Sequence, residues 1–563
     1  MLGRAAKSRP SAGRPPARIR TAPVTILGVS GLLLGLLLPF IGKAFNIDDP
    51  LFLWAARHIQ THPADPYGFT VNWYGTEMPM ASVTKNPPLV PYYIAVVASV
   101  FGWSEASLHL AFLLPTFAVA IGALLLAGRL CTRPLLAVLA GLLTPVFLVS
   151  SLTVMSDVPM LAFWVFAVHS WMVGLERHSH GVLAVAAVLI AASALAKYFG
   201  MTLIPLVLVY TVAKQRRIGW PLLYIVIPVG TLIWYQWATH QLYGRGLLFD
   251  AAEYATAMPN AFGRLSLAKA WVACAFTGGC VATVLCFARQ LWSRRAIFLA
   301  GLLALAVTCV VASNTTWGAF PLPKDAAARW VLALQLGIWG TAGISLLALA
   351  LLDLRDRRDA EAGLLFLWTI GTFLFAAFIN WSTNGRSVLP MVIPAGILIA
   401  RRIEGRTAAR KETLAAVGIP LAAATLLAVA VTWSDYRLAR AARQGAMTIH
   451  EKYRSHAGTL WFEGHWGFQY YMQGLGGRPI DVRDPRLTPG DLVAEPTVNS
   501  NLLALPSEWT AVREIIPVPS SAWLSTMDLR TGAGFYADAF GPLPFAFGTD
   551  GVEKFTIYEV HTP

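Results

Sequence analysis

Long apolar runs separated by short polar loops fill the first three quarters of this chain. Segments of about the twenty residues needed to cross a bilayer lie near 24–42, 107–128, 135–150, 158–175, 182–196, 199–213, 220–238, 270–288, 296–313, 330–352, 362–380, 388–400 and 414–433. Every second loop between them is rich in arginine and lysine, which indicates a cytoplasmic N-terminus. The pattern predicts an all-α polytopic membrane protein with about thirteen transmembrane helices.

The regions outside those runs divide the chain into three parts. Residues 1–23 form a basic arm, which we expect to be cytoplasmic and followed by an uncleaved first span. Residues 24–433 form the transmembrane domain, with a long first outer loop over 43–106. Within that loop, 87–103 is apolar but short and interrupted by Pro91, so we expect an interfacial helix on the outer face.

The final part, 434–563, has a different character. It contains many glycines and prolines and short β-like runs such as 458–462 and 555–560. We expect a soluble extracytoplasmic domain of α/β or α+β type.

Composition supports the membrane assignment and excludes a nucleic-acid role. The 563 residues are 56% hydrophobic and 13% charged, with a mean hydropathy of +0.57, whereas soluble domains carry roughly 25% charged residues. The excess of 44 Lys and Arg over 30 Asp and Glu is confined to short tracts between apolar runs. It forms no basic stripe and accompanies no RNA-binding motif.

Three aspartates at the expected outer face are candidates for chemistry, because charge near the bilayer is costly to retain. Asp48 and Asp49 follow the first span, and Asp157 begins the fourth. A structural alternative exists for two of them: Asp49 before Pro50 suits a helix N-cap, and Asp157 could cap its own helix. Asp157 follows a short outer loop and could approach Asp48 in space.

Several cations lie on the same expected face, where a lipid phosphate would sit. Lys85 stands in Lys-Asn-Pro-Pro-Leu, although a lysine near headgroups is often a snorkelling anchor. The others are Lys197 beside Tyr198, Arg386 beside a late span, and Arg245 and Arg264 around an acidic loop. Each could be structural alone; together they suit an anionic lipid.

In order and spacing, these motifs resemble the GT-C superfamily of membrane glycosyltransferases. The nearest groups are the protein O-mannosyltransferase-like enzymes, the lipid A aminoarabinose transferases and the rhizobial core galacturonosyltransferases. Asp48-Asp49 resembles the Asp-Glu pair in the first outer loop of these enzymes, and Lys85–Leu89 resembles their Pro-Pro-Leu motif. Asp157 with Pro159 resembles the motif of their second loop, and Arg386–Pro390 resembles the Arg-x-x-x-Pro segment of a late span. The resemblance is clear over 45–215, thinner to 400 and absent in the tail.

The resemblance implies transfer of a sugar from a polyprenyl-phosphate donor to an envelope lipid, glycan or protein, with inversion at the anomeric carbon. It implies the catalytic residues Asp48, Asp49 and Asp157, with Asp48 as general base and Asp157 orienting the acceptor or assisting the base. It also implies a substrate-binding set made up of Lys85, Asn86, Lys197, Tyr198, Arg245, Arg264 and Arg386.

We expect no cofactor, although some distant relatives bind a divalent cation with such carboxylates. The short loops and basic arm favour a bacterial inner membrane.

Two other functions remain compatible with the pattern. A lipid-sugar flippase or transporter would also be polytopic, but it should carry charges near the bilayer midplane and repeated halves, and neither is visible. A scaffold of an envelope-assembly complex would use the tail as a binding module.

Overall fold

The computed structural model describes residues 23–257, 260, 262–263, 265–407, 413–503 and 505–561. The basic arm therefore lies outside the described residues, apart from Pro23. The helices are α1 (Pro23–Leu37), α2 (Asp49–Thr61), α3 (Met80–Val83), α4 (Leu89–Phe101), α5 (Glu105–Leu130), α6 (Pro134–Leu142), α7 (Pro145–Ser150), α8 (Asp157–Arg177), α9 (His180–Ala196), α10 (Leu203–Gln215), α11 (Val226–Tyr243), α12 (Leu247–Ala257), α13 (Leu267–Cys280), α14 (Thr283–Cys286), α15 (Ala288–Leu291), α16 (Arg294–Ala312), α17 (Ala326–Arg357), α18 (Ala360–Leu374), α19 (Gly385–Val388), α20 (Val392–Thr407), α21 (Leu414–Tyr453) and α22 (Trp466–Gly474).

In the described part of the chain, nine helices are long and apolar enough to cross a membrane. They run over Pro23–Phe40, Glu105–Leu130, Asp157–Arg177, Tyr198–Gln215, Trp220–Tyr243, Arg294–Ala312, Ala326–Arg357, Ala360–Ile379 and Leu414–Tyr453. The predicted polytopic helical architecture is confirmed. The segment placed at the interface is α4, whose 13 residues are fewer than the roughly 20 that a span requires.

The other four predicted spans are helical but shorter or interrupted. Helix α9 has 17 residues. The segment near 135–150 divides into α6 and α7 because Pro145, which lacks an N–H, starts a new helix. The segment near 270–288 divides into α13, α14 and α15, and the one near 388–400 begins with a 3₁₀ turn at Leu389–Met391 before α20. Hydropathy alone does not show such breaks.

Glycines allow some of these helices to pack with their backbones nearly in contact. A Cβ at Gly396 of α20 would lie 2.0 Å from the carbonyl oxygen of Ala137 in α6, and one at Gly141 would lie 2.5 Å from that of Val392. Helices α13 and α17 approach in the same way at Gly278 and Gly343. Small residues are the usual basis of close helix packing in membranes, where burial of apolar surface contributes little between helices.

The strands are short outside the tail, where a five-stranded sheet forms. They are β1 (Thr70–Asn72), β2 (Glu77–Pro79), β3 (Thr316–Trp317), β4 (Phe320–Pro321), β5 (Leu460–Phe462), β6 (Arg478–Pro479), β7 (Leu492–Pro496), β8 (Thr510–Pro519), β9 (Leu524–Ser525), β10 (Met527–Asp528), β11 (Ala533–Gly534), β12 (Ala546–Phe547) and β13 (Val552–Val560). The sheet has the order β6-β5-β7-β13-β8. Strand β5 is parallel to both its neighbours, and β13 is antiparallel to both of its own.

The sheet and α22 enclose a separate small core around Phe462, Phe468 and Phe555. The expected sheet-containing C-terminal domain is therefore present. The expected boundary at 433/434, however, lies inside α21, whose 40 residues extend for roughly 60 Å at 1.5 Å per residue. This helix joins the membrane domain to the tail without a flexible linker.

A second part of the tail does not belong to the sheet. The segment 524–547 packs its buried side chains, among them Phe535, Leu543 and Phe545, into the same core as the membrane helices. The Phe545 ring lies 5.3 Å from that of Trp339 in α17, and a Cβ at Gly279 of α13 would lie 2.6 Å from Pro544. The tail is thus built into the membrane domain at this point.

Candidate active site

The loop before α2 makes a sharp turn that separates the two adjacent aspartates. Ile47 has φ = +50°, a conformation that a β-branched residue adopts at a cost of about 1–3 kcal/mol. Asp49 is fully buried, and its carboxylate accepts hydrogen bonds from the backbone N–H groups of Asn46 (2.9 Å) and Val154 (2.8 Å). Asp48 is left partly exposed, at 26% of its side chain.

The structure gives Asp49 a role different from the N-cap that the sequence suggested. Helix α2 begins at Asp49, but its carboxylate binds Asn46 before the helix and Val154 in a distant segment, so it ties two loops together. Burial raises the pKa of Asp49 to about 7, against the opposing charge of Lys43 and the two backbone hydrogen bonds. An enclosed group that already has two partners is badly placed to meet a substrate.

Asp48 and Asp157 lie at the same place, and Arg386 lies between them. A guanidinium nitrogen of Arg386 is 2.8 Å from Asp48 Oδ2. Burial opposes the charge of Arg386, yet the nearby carboxylates of Asp48 and Asp157 raise the pKa of its guanidinium. Asp157 also forms an ion pair with Lys197, which follows the last residue of α9. Two cations therefore alternate with two carboxylates in one cluster.

A second cluster of charges contains Lys85, Asp250 and Arg245. Lys85 Nζ lies 2.7 Å from Asp250 Oδ2, and Arg245 pairs with the other oxygen of the same carboxylate. Lys85 also donates to the carbonyl oxygen of Ser82 at 2.9 Å. Because one carboxylate serves two cations, the cluster keeps a net positive charge that suits an anionic ligand.

Two tyrosines that the sequence did not single out connect the clusters. The ring of Tyr254, in α12, lies 5.2 Å from Lys85 Nζ, and its hydroxyl is hydrogen-bonded to that of Tyr74. Burial raises the pKa of both phenols, and the charge of Asp48 raises both further. The two hydroxyls thus stay protonated. One donates to the other, which leaves one O–H to donate to a ligand.

Two of the remaining predicted substrate-binding residues, Asn86 and Tyr198, have local structural partners. The side-chain oxygen of Asn86 accepts from Ser156 at 3.3 Å, next to Asp157. The hydroxyl of Tyr198 lies 3.1 Å from that of Tyr235 in α11. Arg264 lies outside the described residues.

Unsatisfied polar atoms mark the Asp48 cluster as an open site. Among the residues that the structure describes, Asp157 Oδ2, Arg386 Nε and Asn46 Nδ2 are buried without a hydrogen-bond partner. Such atoms normally bind protein or water groups, because leaving them unpaired costs free energy. Two of the three belong to Asp157 and Arg386 of the cluster that contains the partly exposed Asp48, and they suit a polar substrate.

A buried ion pair lies next to this site and was not identified from the sequence. Lys43 follows the first span and Asp435 lies in α21; their side chains are 2.5 Å apart, and each is 1% exposed. Asp435 also accepts from Thr526 (3.1 Å) and Tyr536 (3.0 Å) of the tail. A lysine directly after a span on the expected outer face, against the positive-inside trend, was the signal that could have revealed it.

The fold and the charged cluster at one end of its helices define a polytopic membrane protein with a site suited to an anionic substrate. Residues 85–238 match the family model described as dolichyl-phosphate-mannose-protein mannosyltransferase. This match confirms the resemblance to GT-C glycosyltransferases over a segment that includes Lys85, Asp157 and Lys197. No curated protein matches the sequence.

The chain is also similar to solved structures with which it shares little sequence. One is the oligosaccharyltransferase of Archaeoglobus fulgidus tethered to an acceptor peptide, with a TM-score of 0.45 and 13% identity over 81% of this chain and 63% of that one. Another is ArnT from Cupriavidus metallidurans bound to undecaprenyl phosphate, with a TM-score of 0.41 and 13% identity over 84% of this chain and 92% of that one. This chain spans less than two thirds of the oligosaccharyltransferase.

Proposed function

We propose that this protein is a membrane glycosyltransferase that moves a sugar from a polyprenyl-phosphate donor to a hydroxyl group of an envelope lipid, glycan or protein. The observation that carries the proposal is the partly exposed carboxylate of Asp48, 2.8 Å from Arg386, beside a second cluster with net positive charge. A base next to a phosphate-binding surface is what such a reaction needs. The family match over 85–238 supports it.

Asp48 acts as the general base in the proposed mechanism. It takes the proton of the acceptor hydroxyl while that oxygen attacks the anomeric carbon and the bond from this carbon to the phosphate oxygen breaks. The electron pair of that bond leaves with the polyprenyl phosphate, so no general acid is needed. One direct displacement inverts the anomeric centre, in contrast to the double displacement of retaining enzymes.

The cations stabilise the leaving group in this mechanism. The polyprenyl phosphate gains negative charge as it departs, and Lys85 with Arg245 provides positive charge held in place by Asp250. Fixed charges in a partly dehydrated site stabilise developing charge without reorganisation. Asp157 orients the acceptor, and no metal ion or other cofactor is part of the proposal.

The proposed setting is a bacterial inner membrane, with the N-terminus cytoplasmic and the tail extracytoplasmic. The alternating basic loops support this orientation. The donor is then presented from the outer leaflet, on the side where Asp48 and Lys85 lie.

The test is sugar transfer by the full-length protein in liposomes. Radiolabelled polyprenyl-phosphate sugars are supplied as a panel together with extracted envelope acceptors, and the wild type is compared with Asp48→Asn. Loss of a general base costs about 10²–10⁴-fold in rate. The matched control is Asp484→Asn, which alters an exposed aspartate of the tail that is also paired with an arginine, Arg486, at 2.9 Å.

Transfer by the wild type and the control, lost in Asp48→Asn while the protein stays folded, supports the proposal. Full transfer by Asp48→Asn refutes Asp48 as the base. A donor that crosses the bilayer without any transfer refutes the transferase and favours a flippase.

A further inference from the structure

The tail touches the loop that carries Arg386. We call residues Ser382–Arg386 the arginine loop and residues Phe535–Asp538 the brace. The arginine loop contains the start of α19, a helix of four residues. Hydrogen bonds of the Asn380 and Asn384 side chains to Ser382 and Ser387 hold part of it, and the rest of its support comes from other segments. The position of Arg386 over Asp48 therefore depends on what surrounds this loop.

The brace and the arginine loop share five hydrogen bonds, one of which is donated by the N–H of Asp538 to the hydroxyl of Ser382 at 3.1 Å. The carbonyl oxygen of Phe535 accepts from the N–H of Gly385 at 2.7 Å, and the N–H of Asp538 donates to the carbonyl oxygen of Thr383 at 3.0 Å. The carboxylate of Asp538 accepts from the N–H of Thr383 (3.0 Å) and from the hydroxyl of Ser382 (2.9 Å). The two segments are as closely connected as neighbouring strands.

The brace is itself fixed to the membrane domain. Asp538 forms an ion pair with Lys269 of α13, and each of these side chains is 1% exposed. Packing adds to the fit, because a Cβ at Gly385 would lie 2.7 Å from the ring of Phe535. The arginine loop is thus held by the tail, which α13 in turn anchors.

One side chain of the brace reaches Arg386 directly. The guanidinium carbon of Arg386 lies 5.8 Å from the centroid of the Tyr536 ring, within the range of a cation–π contact. The hydroxyl of Tyr536 donates to Asp435 at 3.0 Å, which fixes the ring. Tyr536 therefore contacts the guanidinium from the tail while Asp48 binds it from the first loop.

We infer that Tyr536 and Asp538 of the tail are positioning residues of the active site, which hold Arg386 where it aligns Asp48. The inference rests on the proposed glycosyltransferase function and adds a role for the tail in it. The tail is then part of the catalytic machinery and does more than bind a partner. Misplacement of a reacting group by about 1 Å can lower a rate by ~10²-fold, so loosening the brace should affect turnover.

The test combines kinetics with hydrogen exchange on the full-length protein in detergent. Asp538→Asn keeps the shape of the side chain but removes its charge, and Tyr536→Leu removes the ring. Tyr536→Phe keeps the ring under Arg386 and serves as the conservative rescue. The control is Asp491→Asn, which alters another buried aspartate of the tail, hydrogen-bonded to Thr459, Trp461 and Thr488.

We expect Asp538→Asn and Tyr536→Leu to lower kcat by about 10–100-fold, with KM for the donor changed less than threefold because Lys85 and Arg245 are untouched. Exchange in peptides covering residues 376–391 should become faster in Asp538→Asn. Tyr536→Phe should stay within about threefold of the wild-type kcat, and Asp491→Asn should alter neither kcat nor exchange in those peptides.

Wild-type kcat in both Asp538→Asn and Tyr536→Leu, with both variants folded, overturns the positioning role alone. Equal losses in Asp491→Asn overturn it as well, since the effect would then be a general weakening of the tail. A wild-type protein that transfers no sugar from any donor overturns the proposed function and the positioning role with it. Faster exchange in residues 376–391 of Asp538→Asn, together with a loss of kcat that is absent from Asp491→Asn, supports both the proposed function and the positioning role.

Discussion

The buried ion pair of Lys43 and Asp435 offers a quantitative test of how the first span, the last helix and the tail are joined. Its nitrogen and oxygen are 2.5 Å apart, so the attraction is on the order of 7 kcal/mol at an effective dielectric constant of ~20. Dehydration of both ions offsets much of that gain. The net contribution of such a pair is small, but breaking it leaves one buried charge unbalanced.

We expect Lys43→Met to lower the free energy of unfolding by about 3–5 kcal/mol, because Asp435 would be left buried without its partner. The bonds from Thr526 and Tyr536 place the value near the lower end of that range. Asp435→Asn should cost a similar amount by isolating Lys43. The double variant should lose only about 1–2 kcal/mol, because an amide still accepts one of the hydrogen bonds and no charge remains buried.

Unfolding of the four proteins in mixed detergent, followed by tryptophan fluorescence, gives the double-mutant cycle. The interaction free energy should be about 4 kcal/mol or more in size, well outside the additivity of independent sites. A double variant less stable than either single variant would refute the reasoning. So would a cost below about 1 kcal/mol for Lys43→Met, since the pair would then be hydrated.

Three further results are expected. Gly396→Val should reduce the yield of folded protein, because its Cβ would lie 2.0 Å from the carbonyl oxygen of Ala137. Gly35→Ala should not reduce the yield, because no atom lies within 4 Å of a Cβ there. Size-exclusion profiles in detergent compare the two variants. Lys85→Gln should lower kcat/KM for the lipid-phosphate donor by about 10–100-fold, as expected for a charged hydrogen bond worth about 1.5–3 kcal/mol. Part of the loss should be in kcat, because the phosphate gains negative charge in the transition state; steady-state transfer assays would show it. Burial raises the pKa of Glu463 to about 7 from 4.5. Between these two pH values the folded tail keeps a proton that the unfolded chain releases. The stability of the tail therefore falls as the pH rises from about 4.5 through 7. Glu463→Gln should therefore match the wild type at pH 5 and exceed it at pH 8 in hydrogen-exchange protection of the tail sheet.

The features that follow from local sequence were predictable. Apolar runs of the right length gave the helical membrane architecture, because each span must satisfy its backbone hydrogen bonds internally. The sequence also allowed Asp157, at the start of the fourth span, to approach Asp48, and both carboxylates lie near Arg386. Their connection through Arg386 could not be deduced, since that residue lies more than 200 positions further along the chain.

Other features depend on contacts that no local pattern reveals. Asp48 and Asp49 are chemically equal in the sequence, and the left-handed backbone at Ile47 decides which one is exposed. The tail looked like a separate soluble domain because its glycines, prolines and short strands resemble those of one. Hydropathy does not distinguish side chains such as Phe535 and Phe545, buried against membrane helices, from the core of an independent domain.

The pairing of Lys269 with Asp538 joins residues 269 positions apart, and this has a consequence for biosynthesis. When a ribosome has made every membrane span, the residues that brace the arginine loop have not yet been translated. In the nascent membrane domain, Arg386 therefore lacks the support of the brace until residues 535–538 have been translated and pack against the arginine loop. Under the proposed function, completion of the chain fixes Arg386 over Asp48, and a truncated product in the membrane should bind the lipid-linked donor but transfer its sugar more slowly.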